Sequence, residues 1–210
     1  MDDIVSVTLL RHGITKENQQ RRYIGWTDPD LEDSAITILK TSQLPAHFDV
    51  IYASDLKRCT QTANYYAPNE TVIKDERLRE LHFGFWEGKT YEDLKTIKLY
   101  RDWIDSPFEI SPPSGESYFE LKARVLDVWQ TIITSLIEKQ ANDILIVSHG
   151  GPIRLLLTLF ADTDPKKEWW DWPVKHLSGY RLFWPRAVLL KGGPRCISSQ
   201  VEPFMVKNNG

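Results

Sequence analysis

What most constrains this chain is a set of short aliphatic, β-branched runs, each closed by a polar turn: Ile4 to Leu10 (IVSVTLL), Val50 to Ala53 (VIYA) and Ile144 to Val147 (ILIV). A strand that is apolar on most of both faces has to be covered from both sides, which is the condition of a parallel sheet between helical layers. Thr71-Val72-Ile73 is a weaker strand of the same kind. Helical periodicity fills the intervals. Ser54 reads as the N-cap of a helix reaching Tyr65. Thr90-Tyr91-Glu92-Asp93 opens a shorter one, with Leu94 and Ile97 inward. Ser117-Tyr118-Phe119-Glu120 is a capping box, and Leu121, Val125, Val128, Ile132 and Leu136 follow on one face. Gly151-Pro152 places proline at a helix's first position, before Ile153, Leu156, Leu157 and Phe160. The alternation predicts an α/β fold: a three-layer α/β/α sandwich with a mainly parallel central sheet. Tyr180 to Trp184 and Ala187 to Leu190 flank Pro185-Arg186 and suggest a hairpin, and Ser106 to Gly115 reads as a loop. With 210 residues and no internal repeat, one domain over 1–210 is expected.

Composition narrows the function classes. Hydrophobic residues make up 41% and charged residues 26%, which excludes a disordered or low-complexity chain. The net charge of −3 lacks the basic footprint of a nucleic-acid binder, so no nucleic-acid partner is expected. No run approaches the ~18 apolar residues needed to span a bilayer, so no membrane partner is expected either. The acidic start and the two cysteines, Cys59 and Cys196, suggest a cytoplasmic protein without a secretory leader or disulfide framework. There is no His-Glu-x-x-His, and the cysteines stand far apart, so neither metal nor cofactor is called for.

The chemistry lies where the strands end. The first runs into Arg11-His12-Gly13, the second into Ser54-Asp55-Leu56-Lys57-Arg58, and the third into Ser148-His149-Gly150-Gly151. Ligands of open α/β sheets bind at the carboxyl ends of parallel strands. Glycine after each histidine suits a turn where backbone approaches a ligand. Helices starting near Ser54 and Gly151 aim their N–H groups at the same crevice, which favours an anion. A single strand-terminal histidine or arginine usually serves structure alone. Two His-Gly pairs with arginines converging on one crevice point to a phosphate site.

These residues resemble the motifs of the histidine phosphatase superfamily, the phosphoglycerate mutase-like family. Arg11-His12-Gly13, followed by Thr15 and Asn18, is similar to its signature. Ser54 to Ala63 resembles the block whose arginine grips phosphate, and Leu78-Arg79-Glu80 with Phe83 to Gly88 the block that carries the proton donor. Gly115-Glu116-Ser117 and Val147 to Gly151 follow in family order. The resemblance implies that His12 is the nucleophile and forms a phosphohistidine. It further implies that Arg11, Arg58 and His149 hold the non-bridging oxygens, and that Glu80 protonates the leaving group of a small phosphorylated substrate. Thr15, Asn18 and Gly150 would line the phosphate pocket. Glu76, Glu87 and Glu116 lie near Glu80 in sequence and read as solvated charges.

Some positions depart from the family pattern. Ile14 stands where glutamate is common, and Ala35 where the block after Asp28-Pro29-Asp30 closes on glycine. Gly84 to Thr90 looks like a nucleotide-binding loop but is one residue short between its glycines. In the mutase branch the acid block carries an arginine for the substrate carboxylate, where this chain has Leu81. Leucine offers no bidentate grip. Ser106 to Pro113 is also shorter than the mutase insertion and holds no arginine. A phosphatase is therefore expected over the alternative, mutase-type phosphoryl transfer. A non-catalytic phosphate-binding module is disfavoured, because both His12 and Glu80 are present. Trp169, Trp170 and Trp172 with Trp103 read first as a packed or partly exposed aromatic patch, and second as a roof over a ring-bearing substrate. Arg21, Arg22 and Tyr23 are either surface residues or contacts to a substrate's acidic tail.

Overall fold

The computed structural model describes residues 3–41, 47–162, 167–191 and 195–203. Six strands form one sheet: β1 (Ile4–Arg11), β2 (Val50–Ala53), β3 (Val72–Lys74), β4 (Asp143–Ser148), β5 (Ser178–Pro185) and β6 (Ser198–Pro203). Their order is β3-β2-β4-β1-β5-β6. The first four of these are mutually parallel; β5 runs antiparallel to β1, and β6 antiparallel to β5. The helices are α1 (Lys16–Gln19), α2 (Asp33–Thr41), α3 (Lys57–Tyr66), α4 (Tyr91–Leu94), α5 (Lys98–Asp105), α6 (Tyr118–Lys139), α7 (Gly150–Phe160) and α8 (Arg186–Leu190).

The period-two alternation of the central strands divides the core into two layers. Val5, Val7 and Leu9 of β1, with Ile144 and Ile146 of β4, pack against α6 and α7. Leu10, Leu145 and Val147 face the other way, onto Ala35 and Leu39 of α2 and Cys59 and Ala63 of α3. This is the three-layer sandwich expected from the sequence. The capping box forms as predicted: Ser117 N–H donates to Glu120 at 2.8 Å and the Ser117 hydroxyl accepts from Glu120 N–H at 3.2 Å. Caps of this kind contribute about 1 kcal/mol. All five apolar residues of the predicted α6 stripe are buried.

Four local expectations are corrected. No hairpin forms at Pro185-Arg186, because Arg186 starts helix α8 and β5 pairs with β6 instead. The Arg186 guanidinium holds that turn by bonding Asp3, Asn142 and the Ala141 carbonyl. Ser54 does not cap α3. The helix begins at Lys57, whose N–H donates to Asp28 Oδ1 at 2.6 Å, so the cap comes from a distant loop. Ile97 is 43% exposed, because α4 ends at Leu94 and Ile97 is instead the N-cap residue of α5. Pro152 is the third residue of α7, which begins at Gly150; a first-turn N–H has no intrahelical acceptor, so proline costs nothing there. A separate cluster of Trp86, Leu94 and Tyr100, with Phe83 and Trp103 against it, lies within the segment between β3 and α6, and Tyr23 packs on it from the loop after α1. Among the described residues, no helix is long and apolar enough to cross a membrane.

Candidate active site

The register of β1 on β4 sets the site. Leu10 pairs with Val147 and Arg11 with Ser148, and His12 N–H extends the ladder by donating to the Ser148 carbonyl at 3.1 Å. His12 and His149, the residues just past the two strands, thus become neighbours, with ring centroids 5.0 Å apart. Both are buried. Desolvation pushes both imidazoles well below the usual histidine pKa, and the Arg58 charge pushes in the same direction. His12 is therefore a neutral base at physiological pH. Its Nδ1 lies 2.6 Å from the Gly13 carbonyl. A proton on Nδ1 satisfies that contact and leaves the lone pair on Nε2.

The cations are held by main-chain carbonyls. Arg58, in the first turn of α3, is fully buried and donates to the carbonyls of Thr27 at 2.8 Å and Gly25 at 2.7 Å. Arg11 donates to the Val174 carbonyl at 2.7 Å. The Nε of each arginine is buried and lacks a hydrogen-bond partner within the protein. Burial lowers the Arg11 pKa to about 10, which leaves it charged at neutral pH. Two guanidinium groups, each with a buried donor to spare, suit an anion with several oxygens.

His149 is the N-cap residue of α7. The Cys59 thiol lies 3.3 Å from its Nε2, and burial raises that thiol's pKa to about 12. The sulfur stays protonated, and in the tautomer where it donates to Nε2 the imidazole N–H lies on Nδ1. Gly150 opens the helix, and a side chain there would press on Arg154 and Glu80.

Glu80 reaches the same helix end. Its carboxylate accepts from Gly151 N–H at 3.0 Å and from Leu81 N–H at 2.9 Å, and its charge is the main counterweight to the burial of Arg11. Arg124 of α6 fixes the acid's loop from behind, donating to the carbonyls of Arg77, Arg79 and Glu80 while paired with Glu116. The structure thus assembles Arg11, His12, Arg58, Glu80, His149 and Gly150 around one point. Thr15 and Asn18 cap α1 instead: the Thr15 hydroxyl accepts from Asn18 N–H at 3.2 Å, and Asn18 Oδ1 accepts from Thr15 N–H at 3.3 Å. Of the two, Asn18 keeps its amide N–H₂ for other partners.

Several contributors escape a reading of the sequence. His176 places its ring centroid 5.1 Å from that of His12, with Nδ1 3.1 Å from the His12 carbonyl, and burial lowers its pKa to about 4. It sits before β5, far from any recognisable motif. Arg154 lies against the site one helical turn after Gly150, a spacing that signals it in retrospect. Glu87, expected as a solvated charge, accepts from the N–H groups of Gly25, Trp26, Thr27 and Phe83 and from the Thr27 hydroxyl. It shapes the loop whose carbonyls hold Arg58. Glu116 is likewise paired rather than solvated. The predicted tryptophan group divides: Trp103, Trp169 and Trp170 line a cavity beside Glu80, whereas Trp172 is buried under Lys167 and against Tyr180. Tyr23 lines that cavity too, while Arg22 bonds the Gly88 carbonyl and Gln20.

The chain belongs to the histidine phosphatase superfamily (branch 1), whose family model matches residues 7–186. Chemistry in this family proceeds through a phosphohistidine. Phosphoserine phosphatase 1 of Hydrogenobacter thermophilus is 30% identical over 174 residues, 79% of this chain and 81% of that protein. A phosphoglycerate mutase of Schizosaccharomyces pombe is 30% identical over 164 residues, 72% of this chain and 77% of its own. The crystal structure of the alpha-ribazole phosphatase from Shigella flexneri superposes with a TM-score of 0.71 at 27% identity, covering 85% of this chain and 90% of that one.

Two outcomes follow from this geometry. A Cβ at Gly151 would overlap Glu80 Oε1, while the helix itself accepts alanine readily. Gly151→Ala should therefore lower kcat on alkyl phosphates by about 10²-fold, the usual contribution of a positioned acid, with Tm nearly unchanged. Steady-state assays and thermal melts read both. His12, His149 and the half-buried His176 stay neutral when folded but bind protons when unfolded, so stability should fall as pH drops from about 6.5 toward 4. Urea midpoints at pH 7.5 and 5.0 measure this, and His176→Asn should remove part of the loss.

Proposed function

We propose that this protein is a phosphomonoester hydrolase that needs no metal, with His12 as nucleophile. The observation carrying this reading is the pair of neutral, buried imidazoles 5.0 Å apart, together with Arg11 and Arg58, each with a buried, unpartnered Nε donor. In the first step His12 Nε2 attacks phosphorus and the ester P–O bond breaks. The departing oxygen takes its proton from Glu80, whose carboxylate first accepts that proton from the monoanionic ester as it binds. Charge on the phosphorylated ring is stabilised by the bond from Nδ1 to the Gly13 carbonyl. In the second step water attacks phosphorus, gives a proton to the Glu80 carboxylate, and the N–P bond breaks. Phosphate leaves and His12 returns neutral. Arg11, Arg58 and His149 hold the three non-bridging oxygens throughout, and Gly150 brings the α7 N-terminus close to them.

Water rather than a second substrate hydroxyl is the acceptor in this reading. Leu81, which replaces the mutase arginine, lines an apolar cavity and presents nothing to a substrate carboxylate. Asn18, through its free amide, is assigned a supporting contact to the phosphate. Two buried free thiols support the expected reducing, cytoplasmic setting.

Phosphate release from a panel of alkyl and aryl phosphates tests the reading. Wild type should turn over in the presence of EDTA, and His12→Ala should lose at least about 10⁴-fold in kcat, as removal of a covalent nucleophile does. Turnover that survives in His12→Ala disproves the assignment.

A further inference from the structure

We infer that the aromatic cavity beside Glu80 is the leaving-group site, and that it selects phosphate esters of bulky, ring-bearing alcohols over those of small polar ones. The inference rests on the hydrolase reading above, because it takes the Glu80 end of the cavity as the place of the ester oxygen.

The cavity has a volume of about 530 Å³, within the range that encloses drug-sized ligands. It begins at Glu80, Gly151 and Arg154, the groups that flank the phosphate position, and runs away from them between α5, the start of α6 and the Trp169–Asp171 turn. Its walls include Phe83, Trp103, Phe108, Tyr118, Trp169 and Trp170. Phe108 organises the outer part: its ring lies 4.5 Å from Tyr118, edge to face, and stacks with Trp170 at 6.4 Å. Even so, Trp170 remains 60% and Phe108 39% exposed. Large rings gathered at a concave mouth present unpartnered apolar surface, which a ring-bearing ligand covers.

Charge supports the same choice. Among the described residues, Glu80 and Arg154 are the only charged groups lining the cavity, and both stand at the phosphate end. The hydroxyl of Tyr23 is already bonded to that of Tyr100 at 2.6 Å. A carboxylate carried deeper would lose its water and meet no opposite charge, only aromatic walls with the Tyr91 and Tyr118 side chains among them. A serine-sized leaving group would leave most of the aromatic wall wet.

The test compares kcat/KM for 3-phenylpropyl phosphate, propyl phosphate and O-phosphoserine. The two alkyl alcohols have similar leaving-group basicity, so a difference between their esters reports on the ring. The phenyl ester should exceed the propyl ester by about 30-fold, equivalent to about 2 kcal/mol of apolar burial, and phosphoserine should not exceed the propyl ester. In Trp170→Ala and Phe108→Ala, both at exposed positions, the phenyl-to-propyl ratio should drop to about 5, with unchanged thermal melts confirming the fold. A wild-type ratio within about threefold of unity, or a ratio that both variants preserve, overturns the inference. If His12→Ala still removes all turnover in that case, the hydrolase reading stands and only the substrate class falls. Turnover of these esters independent of His12 overturns both.

Discussion

Everything at this site depends on the parallel pairing of β1 with β4. The two strands are far apart in sequence, and only their register decides that Arg11 ends level with Ser148, so that the next residue on each is a histidine. A slip by one position would turn every β1 side chain to the opposite layer, sending Val5, Val7 and Leu9 from the α6–α7 core to the α2–α3 side. The cores therefore enforce the catalytic geometry. The same burial that makes the sheet central also strips water from both imidazoles and keeps them neutral, the state a nitrogen nucleophile requires.

Neutral histidines sit beside buried cations, and the molecule bears the cost of that arrangement before any substrate arrives. Arg11 and Arg58 spend some of their donors on main-chain carbonyls and leave Nε without a partner. Glu80 balances Arg11 from the far side while being held by the α7 N-terminus. Buried charge that is incompletely paired destabilises a fold, and in the proposed function a phosphate dianion completes it. Donors fixed in place before the reaction need no reorganisation as charge develops on the transferring phosphoryl group. The second layer of support is carboxylate-based: Glu87 holds the loop that holds Arg58, and Glu116 with Arg124 holds the loop that carries Glu80.

Much of this was legible in the sequence because it depends on local pattern. The β-branched runs gave β1, β2 and β4, the Ser117–Glu120 box gave the start of α6, and His-Gly pairs at strand ends announced the site. What stayed hidden depends on contacts between distant segments. Asp28 caps α3 in place of Ser54, and Arg186 builds a helix where the pattern suggested a hairpin, because its partners are Asp3, Ala141 and Asn142. His176 carries no local signature, and the block around Glu87 does not tell that its carboxylate gathers the N–H groups of Gly25, Trp26 and Thr27. Trp172 cannot be told from Trp169 and Trp170 by composition, yet it supports the core while they line the cavity.

The central claim is that phosphate passes through a covalent bond to one nitrogen of His12. Rapid mixing with substrate, a quench at alkaline pH where phosphohistidine survives, and mass mapping of the digested chain test it most directly. The account predicts phosphorylation on the peptide carrying Arg11-His12-Gly13 and nowhere else. A phosphoryl group found on the peptide of His149 or His176 instead would contradict it.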